Sequence, residues 1–209
     1  MAIRALSVAD LLSKKYKRFP FEGEWLDAFA MPESKGVWFI WGGSGNGKTS
    51  FVIALIKHLS TFCKVAFYSL EEGSADTMQL SYIRSGMSEV GKRVVLIPEW
   101  ESLQELEERM NKRKSPEVYV IDSLKYTRIS YPDYLGLKER HRDKLIIFIG
   151  HAAGTQPDSR TAKSVMYDAT LKIWVEGYRA ISKGRYIGSN GGIYTIWEDG
   201  AAKYWGFKE

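Results

Sequence analysis

Lys35-Gly-Val-Trp-Phe-Ile-Trp-Gly-Gly-Ser-Gly-Asn-Gly-Lys-Thr-Ser-Phe51 makes three different demands on its backbone in succession. Val37 to Trp41 is a short apolar run, as expected of a strand buried on both faces. Four glycines then fall within the six residues Gly42 to Gly47. Phe51 to Leu59 is mostly apolar again and reads as a largely buried helix. Gly42, Gly43, Ser44, Gly45, Asn46, Gly47, Lys48 and Thr49 fit G-x-x-x-x-G-K-[ST] at every required position. In that setting glycines let successive backbone N–H groups turn inward around a phosphate chain. The helix that follows points its positive end at the same place. Lys48 adds a mobile charge for the outer phosphates, Thr49 offers a hydroxyl to Mg2+, and Ser50 completes the first helical turn. These nine residues, Gly42 to Ser50, are the candidate binding loop for a nucleoside triphosphate such as ATP. A glycine-rich turn that matches by chance is the alternative, and the strand and helix on either side argue against it.

The remainder of the chain alternates in the same way. Strand candidates are Val37–Trp41, Val65–Leu70, Arg93–Ile97, Val118–Asp122 and Leu145–Gly150. Helix candidates separate them at Asn46–Leu59, Ser74–Ser85, Ser102–Lys112 and Pro132–Arg142. Such alternation predicts an α/β protein with a mainly parallel sheet covered on both faces. After that the pattern changes. Leu171–Glu176, Tyr178–Ser182, Gly192–Glu198 and Ala202–Trp205 read as short strands that extend the sheet antiparallel. At the other end, Leu6–Tyr16 reads as a short helix with Ser7 as N-cap and Asp10 three residues on. Phe19 to Pro32 is turn-rich, with Phe21, Trp25, Leu26 and Phe29 available for packing.

Length and composition set outer bounds. The 209 residues suit one sizeable core. No apolar run has membrane-spanning length, and the start lacks a secretory pattern. Cys63 is the single cysteine, placed in an apolar strand candidate, so no disulfide within the chain is available and a reducing, cytoplasmic setting fits. The net charge of +5 permits a polyanionic partner without requiring one.

Three strand ends carry the polar residues that phosphate chemistry needs. Ligands of open α/β sheets lie outside the carboxyl ends of the strands. Val118-Tyr-Val-Ile-Asp122 ends in a carboxylate suited to hold Mg2+ opposite Thr49; the alternative is a residue that caps the next turn. Phe67-Tyr-Ser-Leu-Glu71 ends in the candidate that polarises the attacking water. Glu72 and Asp76 read as acids that favour a helix N-terminus. Leu145-Ile-Ile-Phe-Ile-Gly-His151 ends in a residue able to sense the γ-phosphate and pass that state to Ala152–Lys163, or simply in a hydrogen-bonded histidine. His58 and His141 have no such placement and read as structural or surface residues. No His/Cys cluster has zinc-ligand spacing. Ala180-Ile-Ser-Lys183-Gly-Arg185-Tyr-Ile-Gly188 sets two cations two residues apart just past a strand. On its own that is a basic turn on a solvated face.

The P-loop, "FYSLEE", "VYVIDS", "IIFIGHA" and "ISKGRYIG", in this order, resemble the RecA-like ATPase superfamily, and within it the DnaB-type helicase and small phage or plasmid ATPase branch. They span most of Lys35 to Trp205. The resemblance implies a RecA-like three-layer αβα core over residues 35–209, preceded by an N-terminal segment, 1–34, that is a candidate subunit contact. It implies that Glu71 activates water, and that Lys183 and Arg185 reach the nucleotide of a neighbouring copy in a ring or filament. It also implies DNA-contacting loops after Asp122 and His151. The first holds Lys125, Tyr126, Arg128 and Tyr131, where cations could meet phosphates and rings could stack on bases. From Lys125 to Lys144 six Lys/Arg face three acids, a formal +3. The second holds Arg160 and Lys163, balanced by Asp158 and Asp168. Single-stranded DNA, in phage-type recombination or replication, is the ligand this implies, with a replication or recombination protein as a further partner. A nucleotide-controlled loader or regulatory module with slow turnover is the alternative of another class. A nucleotide kinase is a third, and it leaves Lys183 and Arg185 unexplained.

Overall fold

The computed structural model describes residues 5–206. Residues 1–4 of the expected N-terminal segment and 207–209 of the expected core lie outside them. The chain forms a central sheet with helices on both faces. Its strands are β1 (Gly36–Gly42), β2 (Val65–Ser69), β3 (Val94–Ile97), β4 (Val118–Asp122), β5 (Leu145–Ala153), β6 (Gln156–Pro157), β7 (Leu171–Glu176), β8 (Arg179–Gly184) and β9 (Gly188–Thr195). Their order across the sheet is β3-β2-β4-β5-β1-β7-β8-β9, with β6 turned back on the end of β5. The first six strands in that order run parallel. β8 and β9 add on antiparallel. Each parallel strand reads as a short apolar run because both of its faces are covered.

One face is covered by α2 (Gly23–Phe29) and α3 (Lys48–Ser60), joined by Met78 of α4 (Asp76–Arg84) and Met87 of the 3-10 segment Met87–Arg93. α3 buries Phe51, Val52, Leu55, Ile56 and Leu59 against Trp38 and Ile40 of β1. Each such side chain contributes about 1.5–3 kcal/mol on burial, which fixes the helix that follows the glycine loop. The other face carries α5 (Leu103–Asn111), α7 (Tyr131–Arg140) and α8 (Arg160–Asp168) over Val37, Phe39 and Trp41. Short α1 (Val8–Leu12) has the expected capping box, Ser7 with Asp10, and exposes its apolar side chains. Among the described residues no helix is long and apolar enough to cross a membrane.

Four sequence expectations are corrected. Phe19 to Pro32 is not only turn: α2 places Trp25, Ala28 and Phe29 one helical turn apart, into the core with Phe19 and Phe21. The stretch after His151 is not a loop throughout. β5 runs on to Ala153, pairs with β6, and gives way to α8, whose N-cap Ser159 accepts from the Ala162 N–H. Ala202–Trp205 is helix: α9 (Glu198–Trp205) starts on two acids, buries Gly200 and Ala201, and has the Trp205 indole donating to Gly177 O at 3.0 Å. Cys63 sits in the turn after α3 and not in a strand. His58 is structural, stacked on Trp25 at 4.5 Å, and burial lowers its pKa.

Candidate nucleotide site

The glycine loop leaves the sheet where β1 is hemmed in on both sides. Gly42 stands opposite His151 of β5 and Val175 of β7. A Cβ at Gly42 would lie 2.3 Å from the Val175 carbonyl oxygen, so only glycine lets the strands stay paired up to the loop. Gly47 has φ 87°, a left-handed conformation that glycine adopts without strain, and a Cβ there would press on Tyr178 at 3.2 Å. Between them, the N–H groups of Ser44, Gly45, Asn46 and Gly47 donate to no backbone carbonyl among the described residues. That is a run of free donors at the start of a 13-residue helix, α3. The Asn46 side chain has a separate task. Its Oδ1 accepts the Gly177 N–H at 2.8 Å, and its carbonyl accepts the Tyr178 N–H at 3.2 Å, so the β7–β8 turn is tied to the loop. Its Nδ2 donates to Ser44 O at 3.3 Å, and its backbone N–H stays open toward the loop.

β2, β4 and β5 bring Glu71, Glu72, Asp122, Ser123 and His151 to the same edge as Lys48 and Thr49. Asp122 is 7 % exposed, and its Oδ1 has no hydrogen-bond partner. Burial pushes its carboxyl up to about 7; the Lys48 charge pulls the other way, while Glu71 and Glu72 push it further. A buried carboxylate oxygen without a partner, on the same edge as the Thr49 hydroxyl, belongs to the hard oxygen set that Mg2+ prefers. Asp122 and Thr49 would hold that ion. Glu71 is partly exposed, with Oε2 3.6 Å from His151 Nε2, which lies 3.4 Å from Ser123 Oγ. Thr49 Oγ1 donates to Glu72 Oε1 at 3.4 Å, and Thr77 Oγ1 to Glu72 Oε2 at 3.3 Å. Sequence reasoning misses Ser123 and the Thr49–Glu72 contact, since each pairs residues that only the sheet order brings together.

Lys183 and Arg185 are elsewhere. Lys183 pairs with Lys172 on β7, which pairs with Phe39 on β1. That is three residues short of Gly42, about 10 Å along the strands and about 10 Å across them. The Arg185 N–H bonds to Thr170 O at 3.3 Å, and its charge helps lower the Asp168 pKa behind burial, which raises it, and the Lys138 and Tyr134 hydrogen bonds. Lys183 thus stands level with the middle of β1 and two strands from it, and Arg185 lies further toward the other ends of the strands.

The exposed cations expected to face DNA split into two groups. Lys125 and Tyr126 lie on the single turn α6 (Leu124–Thr127), followed by Arg128, and all three are exposed. Arg160 and Lys163 are exposed on the first turn of α8. Both groups follow strand ends on the glycine-loop edge. The formal +3 between Lys125 and Lys144 overstates the free charge. Lys138 pairs with Asp168 at 2.6 Å, Arg140 with Glu107, and Lys144 is buried on Ser115 Oγ and Pro116 O. Tyr131 stacks on Tyr134 at 5.6 Å.

No protein-family model matches the chain, and no curated protein sequence matches it. Solved structures do. The flagellar accessory protein FlaH from Methanocaldococcus jannaschii superposes with a TM-score of 0.61 at 15% identity, covering 86% of this chain and 93% of that one. A second solved structure, that of an ATPase domain, gives 0.54 at 15% identity, over 78% and 80%. Likeness at this identity speaks to fold, and together with the strand order and the antiparallel tail it shows that this chain has a RecA-like three-layer αβα fold.

Proposed function

We propose that the chain is a Mg2+-dependent ATPase acting on single-stranded DNA in phage-type recombination or replication, with each site completed by a second copy. The observation that carries this is that two groups of residues are kept apart. Lys48, Thr49, Glu71, Asp122 and His151 gather at the glycine loop, while Lys183, level with the middle of β1, and Arg185, beyond the end of β8, stand away from it. In this reading the free N–H groups of Ser44–Gly47 and the Lys48 ammonium bind the phosphates. Mg2+ held by Thr49 and Asp122 would neutralise part of the phosphate charge. Glu71 accepts a hydrogen bond from the attacking water and orients it. His151, which faces Glu71, answers to the γ-phosphate, and its carbonyl accepts the Asp158 N–H at 3.0 Å, a link towards α8. Lys125, Tyr126, Arg128, Arg160 and Lys163 would meet the DNA.

The test is mixing. Lys48→Ala disables a copy's own cradle and leaves its cations; Arg185→Ala does the reverse. Each alone should lose hydrolysis, with a loss at Arg185 of about 10³–10⁵ if it acts as an arginine finger does. Equimolar mixtures should regain activity, because some cradles with Lys48 then face copies with Arg185. Full activity in Arg185→Ala alone, or none in the mixture, refutes completion between copies. If assembly follows ATP while DNA changes nothing, the chain is a nucleotide-controlled binding module.

A further inference from the structure

We propose that Glu72 is a positioning residue of the magnesium site, acting through the Thr49 hydroxyl. The assignment rests on the Mg2+–ATP reading above and adds to it a residue whose sequence context suggests only a helix-terminal acid. Its placement argues against that role. α4 begins at Asp76, which fills its own first turn, and Glu72 stands four residues ahead of it. Glu72 turns back to the glycine loop instead, where it is less exposed than Glu71. One carboxylate oxygen accepts from Thr49 Oγ1 at 3.4 Å and the other from Thr77 Oγ1 at 3.3 Å.

The chemistry of a hydroxyl ligand gives this contact its meaning. A threonine oxygen offers a lone pair to a cation, and its proton must then go to an acceptor on the far side. A carboxylate in that place fixes the hydroxyl's rotation and makes the oxygen a better donor to the metal. Glu72 is the acceptor that Thr49 has, and Thr77 holds the second oxygen so that the carboxylate keeps its orientation. Glu71 does not compete for this task, because it faces His151. The two adjacent glutamates therefore divide the work: Glu71 toward water, Glu72 toward the ligand of the cation.

The experiment is a Mg2+ titration of a fluorescent non-hydrolysable ATP analogue binding to the full chain, repeated with hydrolysis of ATP as the second readout. Glu72→Ala should need about 10–100-fold more Mg2+ for half-maximal binding. Its affinity for the analogue in chelator should match the parent, and its rate at saturating Mg2+ should come close to it. Glu72→Gln keeps one acceptor and should fall between. Thr77→Val, which leaves Thr49 and Glu72 in place, should shift the half-point the same way by less. Thermal unfolding of each variant confirms that it is folded. An unchanged Mg2+ half-point in Glu72→Ala overturns the proposal. So does a lost rate at saturating Mg2+ with the half-point unmoved, which would make Glu72 the group that activates water. A parent whose nucleotide binding ignores Mg2+ removes the underlying ATPase reading, and this assignment with it.

Discussion

Replacing Asp122 with asparagine should stabilise the metal-free protein and abolish its Mg2+-dependent hydrolysis. The side chain is nearly isosteric, so packing is kept and the charge alone is removed. Burial raises the folded carboxyl from its ordinary 3.8 to about 7, against the pull of Lys48 and with the added push of Glu71 and Glu72. The sign follows from proton counts. Between the two values the folded state holds a proton that the unfolded state has released, so stability falls as pH rises through this window. Near pH 5 the cost of folding with this group is on the order of 1–2 kcal/mol, and above pH 7 it reaches about 4 kcal/mol. Asparagine carries no such cost. The stability gap between variant and parent should therefore widen by about 2–3 kcal/mol from pH 5 to pH 8, or roughly 5–10 °C in Tm for a chain of this size. Urea or thermal unfolding of both proteins in chelator, at the two pH values, measures it. Parallel pH profiles would show that Asp122 ionises freely in the fold and is no buried charge awaiting a cation.

Further substitutions test the loop and the exposed cations separately. Gly42→Ala drives a methyl to within 2.3 Å of the Val175 carbonyl oxygen, so β1 and β7 must part at the mouth of the loop; urea unfolding should show a loss of about 1–3 kcal/mol, and nucleotide binding should weaken at least tenfold. The double variant Lys125→Ala/Arg128→Ala should weaken single-stranded DNA binding and flatten its log–log salt dependence by about 0.7 for each phosphate no longer neutralised, whereas Lys138→Ala, whose ammonium is already taken by Asp168, should leave that slope where it was.

What can be read from the chain is whatever depends on neighbours in sequence. The β4 run Val118–Asp122 matches to the residue, and β5 is legible because Leu145 to Gly150 is apolar without a break. The capping box at Ser7 is a four-residue pattern with a direct mechanism, and Ser102 and Ser130 carry the same pattern. The errors fall where a short segment supports two periods. Residues 198–205 carry small and aromatic side chains that suit either state, and the docking of Tyr204 and Trp205 on the Gly177 turn decides for helix. α2 and α8 each have the helical i, i+3, i+4 pattern, hidden by the glycines, prolines and serines beside them. The site divides along the same line. The glycine loop is local and legible. The orphaned oxygen of Asp122, the pairing of Glu71 with His151 and the partners that neutralise Lys138 and Arg140 are made by strand order and helix packing, across gaps no spacing rule spans.

Strand order also constrains what assembly the proposed reading allows. The glycine loop follows the carboxyl end of β1, and β8 runs antiparallel, so Lys183 comes level with the middle of β1 and Arg185 further from the loop. A two-fold dimer would use one surface holding both the patch and the cradle and would complete two sites only. A head-to-tail contact instead lets each copy use one surface to give and another to receive. Such contacts close into a ring or continue as a filament according to the rotation between copies. A ring leaves no terminal cradle empty, while a short filament always leaves one without its cations. Hydrolysis per copy should therefore rise with protein concentration in either case, but in a closed ring it should saturate once rings are complete, with a step in sedimentation at the same concentration. A rate per copy that stays flat from the most dilute solution upward would mean that one chain suffices, and that Lys183 and Arg185 serve no neighbouring nucleotide.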